Sequence, residues 1–337
     1  MGDWTMALLG PAALLLSAVL TPWTMHVAKR IGAVDVPRDG RRMHQQATPR
    51  AGGLALFAAV TLCSGATGLP TGRLRALLLG AALLVGLGLL DDALCLRAPL
   101  KLSVQLIAAA LTLGGGGWEG VPLRGTALRF GAAVLWLTLS VNAHNMIDGL
   151  DGLCAGVSAV EALCLAVVLS LQGDGAATAL ALCVLGASLG FLLYNRHPAR
   201  VFMGDTGSQL LGLLLGVLAL QVNLSRAGAL GPLVPLLTLA LPLSDLAFAV
   251  VRRALRGQGL FAADRGHWHH RLVDGGMGHA QACRWLCTMS AVLGGVGVLA
   301  CREDWYGYAV YATLSALALV LLLETGLARR RVGKKRG

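Results

Sequence analysis

The chain has 337 residues, 56% of them hydrophobic and only 13% charged, with a formal net charge of +11. Soluble domains carry roughly 25% charged residues, so this composition excludes an ordinary soluble domain and indicates a polytopic membrane protein. The eight cysteines are scattered without a Cys-x-x-Cys pair, which argues against a disulfide framework or a zinc site.

A bilayer span needs about 20 apolar residues, and the first such run is 6–25. Asp3 precedes it and no Lys or Arg does, so it reads as a span rather than a cleavable signal. The next loop holds Lys29, Arg30, Asp35, Pro37, Arg42, His44 and Pro49, and ends in Arg50-Ala51-Gly52-Gly53. Much of that charge is topology signal; His44 and Arg50, at the mouth of a span, are candidate ligand contacts. Runs at 51–69 and 75–90 follow, and the second ends in Asp91-Asp92. Adjacent carboxylates on a helix end point in different directions and can serve two partners. Their hard oxygens suit Mg²⁺; a solvated helix terminus is the plainer reading. Lys101 opens the run 100–117, and its point charge suits a phosphate. Gly114 to Gly117 reads as a turn.

The run 127–143 leads into Asn142-Ala-His-Asn145-Met-Ile-Asp148-Gly-Leu-Asp151-Gly. Each ionised group near hydrocarbon costs at least a few kcal/mol, so such a cassette requires a function. Runs 150–171 and 175–194 precede Phe202-Met-Gly-Asp205-Thr-Gly-Ser208, which starts the run 207–223. Glycine lets backbone approach a ligand, and a helix N-terminus favours anions. A bridging cation reconciles Asp205 with an anion there; a capping Asp is the alternative. Phe202 reads equally as an interface anchor or as a platform for a nucleobase.

The run 228–251 contains Pro232, Pro235 and Pro242 and is expected to kink or break. Behind it lie Arg252, Arg253, Arg256, Arg265 and then His267-Trp268-His269-His270-Arg271. With this many Arg, phosphate contact is expected over transition-metal ligation; a solvated basic loop is the bland reading. Runs 279–301 and 305–327 and a basic tail, 328–337, complete the chain.

These runs predict an all-α membrane protein of about eleven transmembrane helices, one integral-membrane domain over 1–337. With the N-terminus outside and the tail cytoplasmic, the inside segments hold 21 of the 28 Lys and Arg, as the positive-inside rule requires. The clustered Asp and most His then fall on the cytoplasmic face. The net charge is thus a topology signal, and nucleic acid is not an expected partner.

The ordered cassettes resemble the polyprenyl-phosphate N-acetylhexosamine-1-phosphate transferases nearly end to end. Thr21-Pro22, Gly32-Ala-Val-Asp35-Val-Pro37, His44 and Pro49-Arg50-Ala-Gly52-Gly53 are similar to that family's first cytoplasmic loop. Gly88-Leu-Leu-Asp91-Asp92 with Lys101 and Gln105, Asn142 through Gly156, Phe202 through Ser208, Pro242 with Asp245, and Arg253 with the His-x-His-His-Arg element resemble its later motifs.

The resemblance implies transfer of a sugar 1-phosphate from a UDP-N-acetylhexosamine to undecaprenyl or another polyprenyl phosphate, with release of UMP. It implies Mg²⁺ as cofactor, with Mn²⁺ as a substitute, a multi-pass location in the cytoplasmic (inner) membrane, and a homodimer as the common assembly. Asp205 and Asn145 match metal and diphosphate positions, and Asp91, Asp92 and Lys101 match positions near the reacting phosphates. Asp91, Asp92 and Asp205 are thus the implied catalytic group. Asp151 and Phe202 match nucleoside contacts, and His267, His269, His270 and Arg271 a sugar-phosphate loop. His44, Arg50, Asn142 and Asp148 complete the implied substrate contacts. The His-x-His-His-Arg form and the eleventh span resemble the N-acetylglucosamine branch rather than the muramoyl-pentapeptide branch. Trp268 and Gln209 stand where less polar or aliphatic residues are more usual.

Two other classes are weighed. A secondary transporter has comparable span numbers but should place ionisable groups mid-span, where only Glu161 and Asp245 are deep candidates. A non-catalytic envelope scaffold leaves the clustered Asp without a role.

Overall fold

A computed structural model describes residues 3–35, 48–116, 125–224, 231–259, 262, 264 and 266–301. His44, Arg265, the run 305–327 and the basic tail lie outside these residues. Twelve helices are described: α1 (Asp3–Ile31), α2 (Gly53–Ser64), α3 (Thr71–Leu94), α4 (Ala98–Leu113), α5 (Thr126–Ile147), α6 (Leu153–Leu171), α7 (Gly175–Asn195), α8 (Gly204–Leu220), α9 (Leu233–Thr238), α10 (Ala240–Leu255), α11 (Trp268–Asp274) and α12 (His279–Ala300). Ten of the expected apolar runs coincide with helical segments. Six helices, α1, α3, α5, α6, α7 and α12, are long and apolar enough to cross a bilayer, while α2, α4 and α8 are shorter apolar helices.

Among the described residues the architecture is helical except for one small ladder that hydropathy did not foretell. β1 (Val34–Asp35) pairs antiparallel with β2 (Thr48–Pro49). It closes the loop between α1 and α2 over a small cluster of Ala28, Ala33 and Ala51.

Small residues let these helices pack backbone against backbone, the usual solution where lipid removes the hydrophobic drive between helices. A Cβ at Gly186 or Gly190 of α7 would collide with the Gly10 or Leu14 carbonyl of α1. On α5, Ser140 donates to the Gly212 carbonyl of α8 at 2.7 Å and Trp136 to the Gly216 carbonyl at 3.0 Å. The outer surface is apolar instead of polar: Leu8, Leu15, Val19 and Trp23 of α1 are all exposed. An all-round apolar helix belongs in the interior, and α8 is that helix, packed by α2, α3 and α5.

The proline-rich run breaks as expected. Pro242 has no N–H for the Thr238 carbonyl one turn back, and the chain steps out of helical geometry at Leu239, between α9 and α10.

Candidate active site

The polar cassettes converge at one end of the bundle. α3 delivers Asp91 and Asp92 in its last turn, and α4 starts with Lys101 in its first. α5 ends on Asn142 and Asn145, and α8 opens on Asp205. Gly204 has φ +68, and a Cβ there would collide with the Asp92 carboxylate and the Arg50 carbonyl. Only glycine makes this turn and lets α8 start against α3.

Asp205 is the hub. Its Oδ2 accepts from Lys101 Nζ at 2.5 Å, Gln209 Nε2 at 3.1 Å and Asn145 Nδ2 at 3.2 Å. Lys101 Nζ also donates to Asp91 Oδ2 at 2.7 Å, and the Leu96 amide to Asp91 Oδ1 at 2.7 Å. Asp92 caps the start of α8, accepting from the Asp205 amide at 3.3 Å and the Thr206 hydroxyl at 3.0 Å. The adjacent carboxylates therefore do serve different partners. Asp148 stands just beyond α5, and burial, reinforced by the negative charges of Asp205 and Asp92, pushes its carboxyl up to about 7. The Arg50 charge opposes that shift, which places Arg50 within electrostatic reach of the cluster.

Lys101 was expected to face a phosphate; here its ammonium bridges Asp91 and Asp205, the anions at hand. Asn145, which the resemblance matches to a metal and diphosphate position, turns Nδ2 to Asp205 while its Oδ1 accepts from the Ser208 hydroxyl at 2.9 Å. Among the described residues, no three His, Cys, Asp or Glu are grouped around a metal position. Two hard carboxylate oxygens nevertheless converge on one cation, the Lys101 ammonium. That donor set fits Mg²⁺, which takes one or two protein carboxylates and completes its shell with water and phosphate.

The remaining candidates lie around this centre. Asn142 uses its Nδ2 on Gln105 Oε1 and the Thr138 carbonyl, both at 2.8 Å. Asp151 accepts from His197 Nδ1 at 2.8 Å and the Ala199 amide at 3.1 Å, so it ties down the turn after α7. Asn195 assists, receiving the Gly152 amide at 3.1 Å and donating to the Val201 carbonyl at 2.9 Å. The half-buried Phe202 pairs its backbone with Pro49 and Gly52, joining the first loop to α8.

The histidine element reaches the cluster through α11, where a Cβ at Gly149 would collide with the His269 imidazole. Buried Asp245 anchors it, accepting from His267 Nδ1 at 2.9 Å and the Trp268 amide at 3.0 Å. His267 and His269 stack with centroids 5.8 Å apart, and His270 lies 4.2 Å from His269. Burial, then the charges of His270 and His267, holds His269 down to about 3, so it meets a ligand as a neutral imidazole. Arg271 lies 5.8 Å over the Trp268 ring, itself wedged against Phe248; the unusual Trp thus braces the arginine. Gln209, Thr206, Ser208 and Asn195 were not chosen as site residues from sequence, because short polar side chains in helices carry no chemical signature until their partners are known.

Comparison with known proteins matches the chemistry. Residues 74–223 fit the family model described as glycosyl transferase family 4. The chain is 37% identical to a probable undecaprenyl-phosphate N-acetylglucosaminyl 1-phosphate transferase of Bacillus subtilis, over 95% of this chain and 92% of that protein. It is 36% identical to the decaprenyl-phosphate N-acetylglucosaminephosphotransferase of Mycobacterium tuberculosis, covering 82% and 78% respectively. Against the undecaprenyl-phosphate alpha-N-acetylglucosaminyl 1-phosphate transferase of Salmonella typhi the identity is 31%, over 88% and 84%. With similarity extending over nearly the whole chain, and a family match at 74–223 that spans the Asp91, Asn145 and Asp205 cassettes the bundle brings together, the chain belongs to glycosyl transferase family 4 and is a multi-pass membrane transferase.

Proposed function

We propose that this enzyme transfers N-acetylglucosamine 1-phosphate from UDP-N-acetylglucosamine to undecaprenyl phosphate. An acceptor phosphate oxygen attacks the sugar-bearing β-phosphorus. The bond from that phosphorus to the bridging oxygen breaks, and UMP leaves with it. The products are UMP and a lipid-linked diphosphate sugar. The observation that carries this reading is the convergence of Asp91, Asp92, Lys101, Asn145 and Asp205 from four helices on one point, in a chain whose relatives are named for N-acetylglucosamine phosphate transfer and a polyprenyl phosphate.

The acceptor is a phosphate monoester with a second pKa near 6, so much of it is dianionic at neutral pH and needs no obligatory base. The obstacle is bringing two polyanions together. Asp205 with Asp91 would hold Mg²⁺, which would supply charge neutralisation of the diphosphate. Lys101, released from its carboxylate partners, supplies a second positive charge. Asp92 holds the α8 N-terminus in place. Neutral His269 and the guanidinium fork of Arg271 suit a sugar phosphate. The eleven-span arrangement, with this site on the cytoplasmic face of the inner membrane, gives a soluble nucleotide sugar direct access. The test is incubation of purified protein with UDP-N-acetylglucosamine, Mg²⁺ and undecaprenyl phosphate. Stoichiometric UMP and lipid-linked sugar are expected; turnover only with the muramoyl-pentapeptide donor, or none, overturns the assignment.

A further inference from the structure

Three side-chain amides join α5, α4 and α8 in a line that ends on the hub carboxylate. Asn142 Nδ2 donates to Gln105 Oε1 at 2.8 Å, Gln105 Nε2 to Gln209 Oε1 at 3.2 Å, and Gln209 Nε2 to Asp205 Oδ2 at 3.1 Å. The direction of this line is fixed at its start. Asn142 Nδ2 also faces the Thr138 carbonyl at 2.8 Å, and a carbonyl can only accept. That contact sets the Asn142 amide, which sets Gln105, which sets Gln209 with its N–H toward Asp205. Flipping any one amide would bring two like ends together, so the usual ambiguity of amide orientation is removed by the anchors.

Gln105 is 2% exposed and Gln209 is fully buried. Burying an amide among apolar side chains is costly without partners, and each of these two has a partner at both ends.

We propose that Gln209 is a positioning residue: it terminates a one-directional amide relay, Asn142 to Gln105 to Gln209, that fixes the Oδ2 oxygen of Asp205. This rests on the reaction proposed above. Of the three donors to that oxygen, Lys101 is the one a bound polyanion draws away. Gln209 is neutral, and its orientation is set from behind by the relay, so it stays. The carboxylate keeps its direction when its strongest partner leaves.

The experiment is a double-mutant cycle on purified, detergent-solubilised full-length protein, following UMP release. Gln209→Leu removes the donor at similar volume, with Gln209→Met as a second choice should Leu pack poorly. Losing one hydrogen bond to a charged group predicts a fall in kcat of about 10- to 100-fold, with KM for undecaprenyl phosphate changed less than about twofold. Gln105→Leu should lower kcat in the wild-type background yet add less than about twofold once Gln209 is gone, because its effect passes through Gln209. Losses that multiply in the double variant, or a wild-type kcat in Gln209→Leu and Gln209→Met, overturn the relay while leaving the reaction intact. Absence of UMP release from the wild type overturns the reaction, and the positioning role with it.

Discussion

At the scale of single residues, the site is governed by how few charges serve so many carboxylates. Lys101 and Arg50 face Asp91, Asp92, Asp148 and Asp205, and burial, reinforced by that imbalance, raises Asp148 to about 7 from an ordinary 3.8. The folded state therefore holds a proton on Asp148 that the unfolded chain gives up. Between about pH 4 and 7 the folded state binds more protons, so this group's contribution to stability falls as pH rises through that window. Asp148→Asn removes the titration while keeping the shape. Thermal unfolding in detergent, measured across pH 4 to 8 without Mg²⁺ or nucleotide, should fall less with rising pH in the variant than in the wild type. Equal pH dependence would mean that Asp148 is not held protonated. His269 shifts the other way, held down to about 3 by burial and then by the charges of His270 and His267.

At the scale of elements, the geometry of the site depends on close helix contacts remote from it. Gly212 of α8 lies where a Cβ would meet Val141 Cα at 2.6 Å and the Ser140 carbonyl at 2.7 Å on α5. Both obstacles are backbone, so a larger residue must push the helices apart rather than turn a side chain aside. Gly212→Val is expected to destabilise by about 1–3 kcal/mol. It should also lower turnover, because α5 carries Asn145 and α8 carries Asp205. A melting temperature and rate equal to wild type would show that this contact does not set their spacing. Past the break between α9 and α10, α10 carries Asp245, which sits under the histidine element.

At the scale of the whole molecule, the proposed orientation, N-terminus outside and tail inside, rests on the excess of Lys and Arg in the inside segments. Single-cysteine variants at Gly2 and Gly337 should react with a membrane-impermeant thiol reagent from opposite faces, outside and inside respectively. Reaction of both from one face would overturn the eleven-span topology and, with it, access of a cytoplasmic nucleotide sugar to the Asp205 cluster.

Hydropathy and polar interruption are local properties, so the chain by itself determined the helical segments, the proline break and the identity of the polar cassettes. Asp91, Asp92, Lys101, Asn145 and Asp205 were legible because charge in an apolar run is expensive and needs a reason. What each of them touches was not legible. Lys101 and Asp205 are 104 residues apart, as are Gln105 and Gln209, and Asp92 reaches across 113 residues to the start of α8. A hydrogen bond is decided within a few tenths of an ångström, a precision set only when the glycine faces of α3 and α8 close against their neighbours. Tertiary structure therefore decided that Lys101 bridges two carboxylates, that Asp151 holds a turn, and that Gln209 points its amide at Asp205.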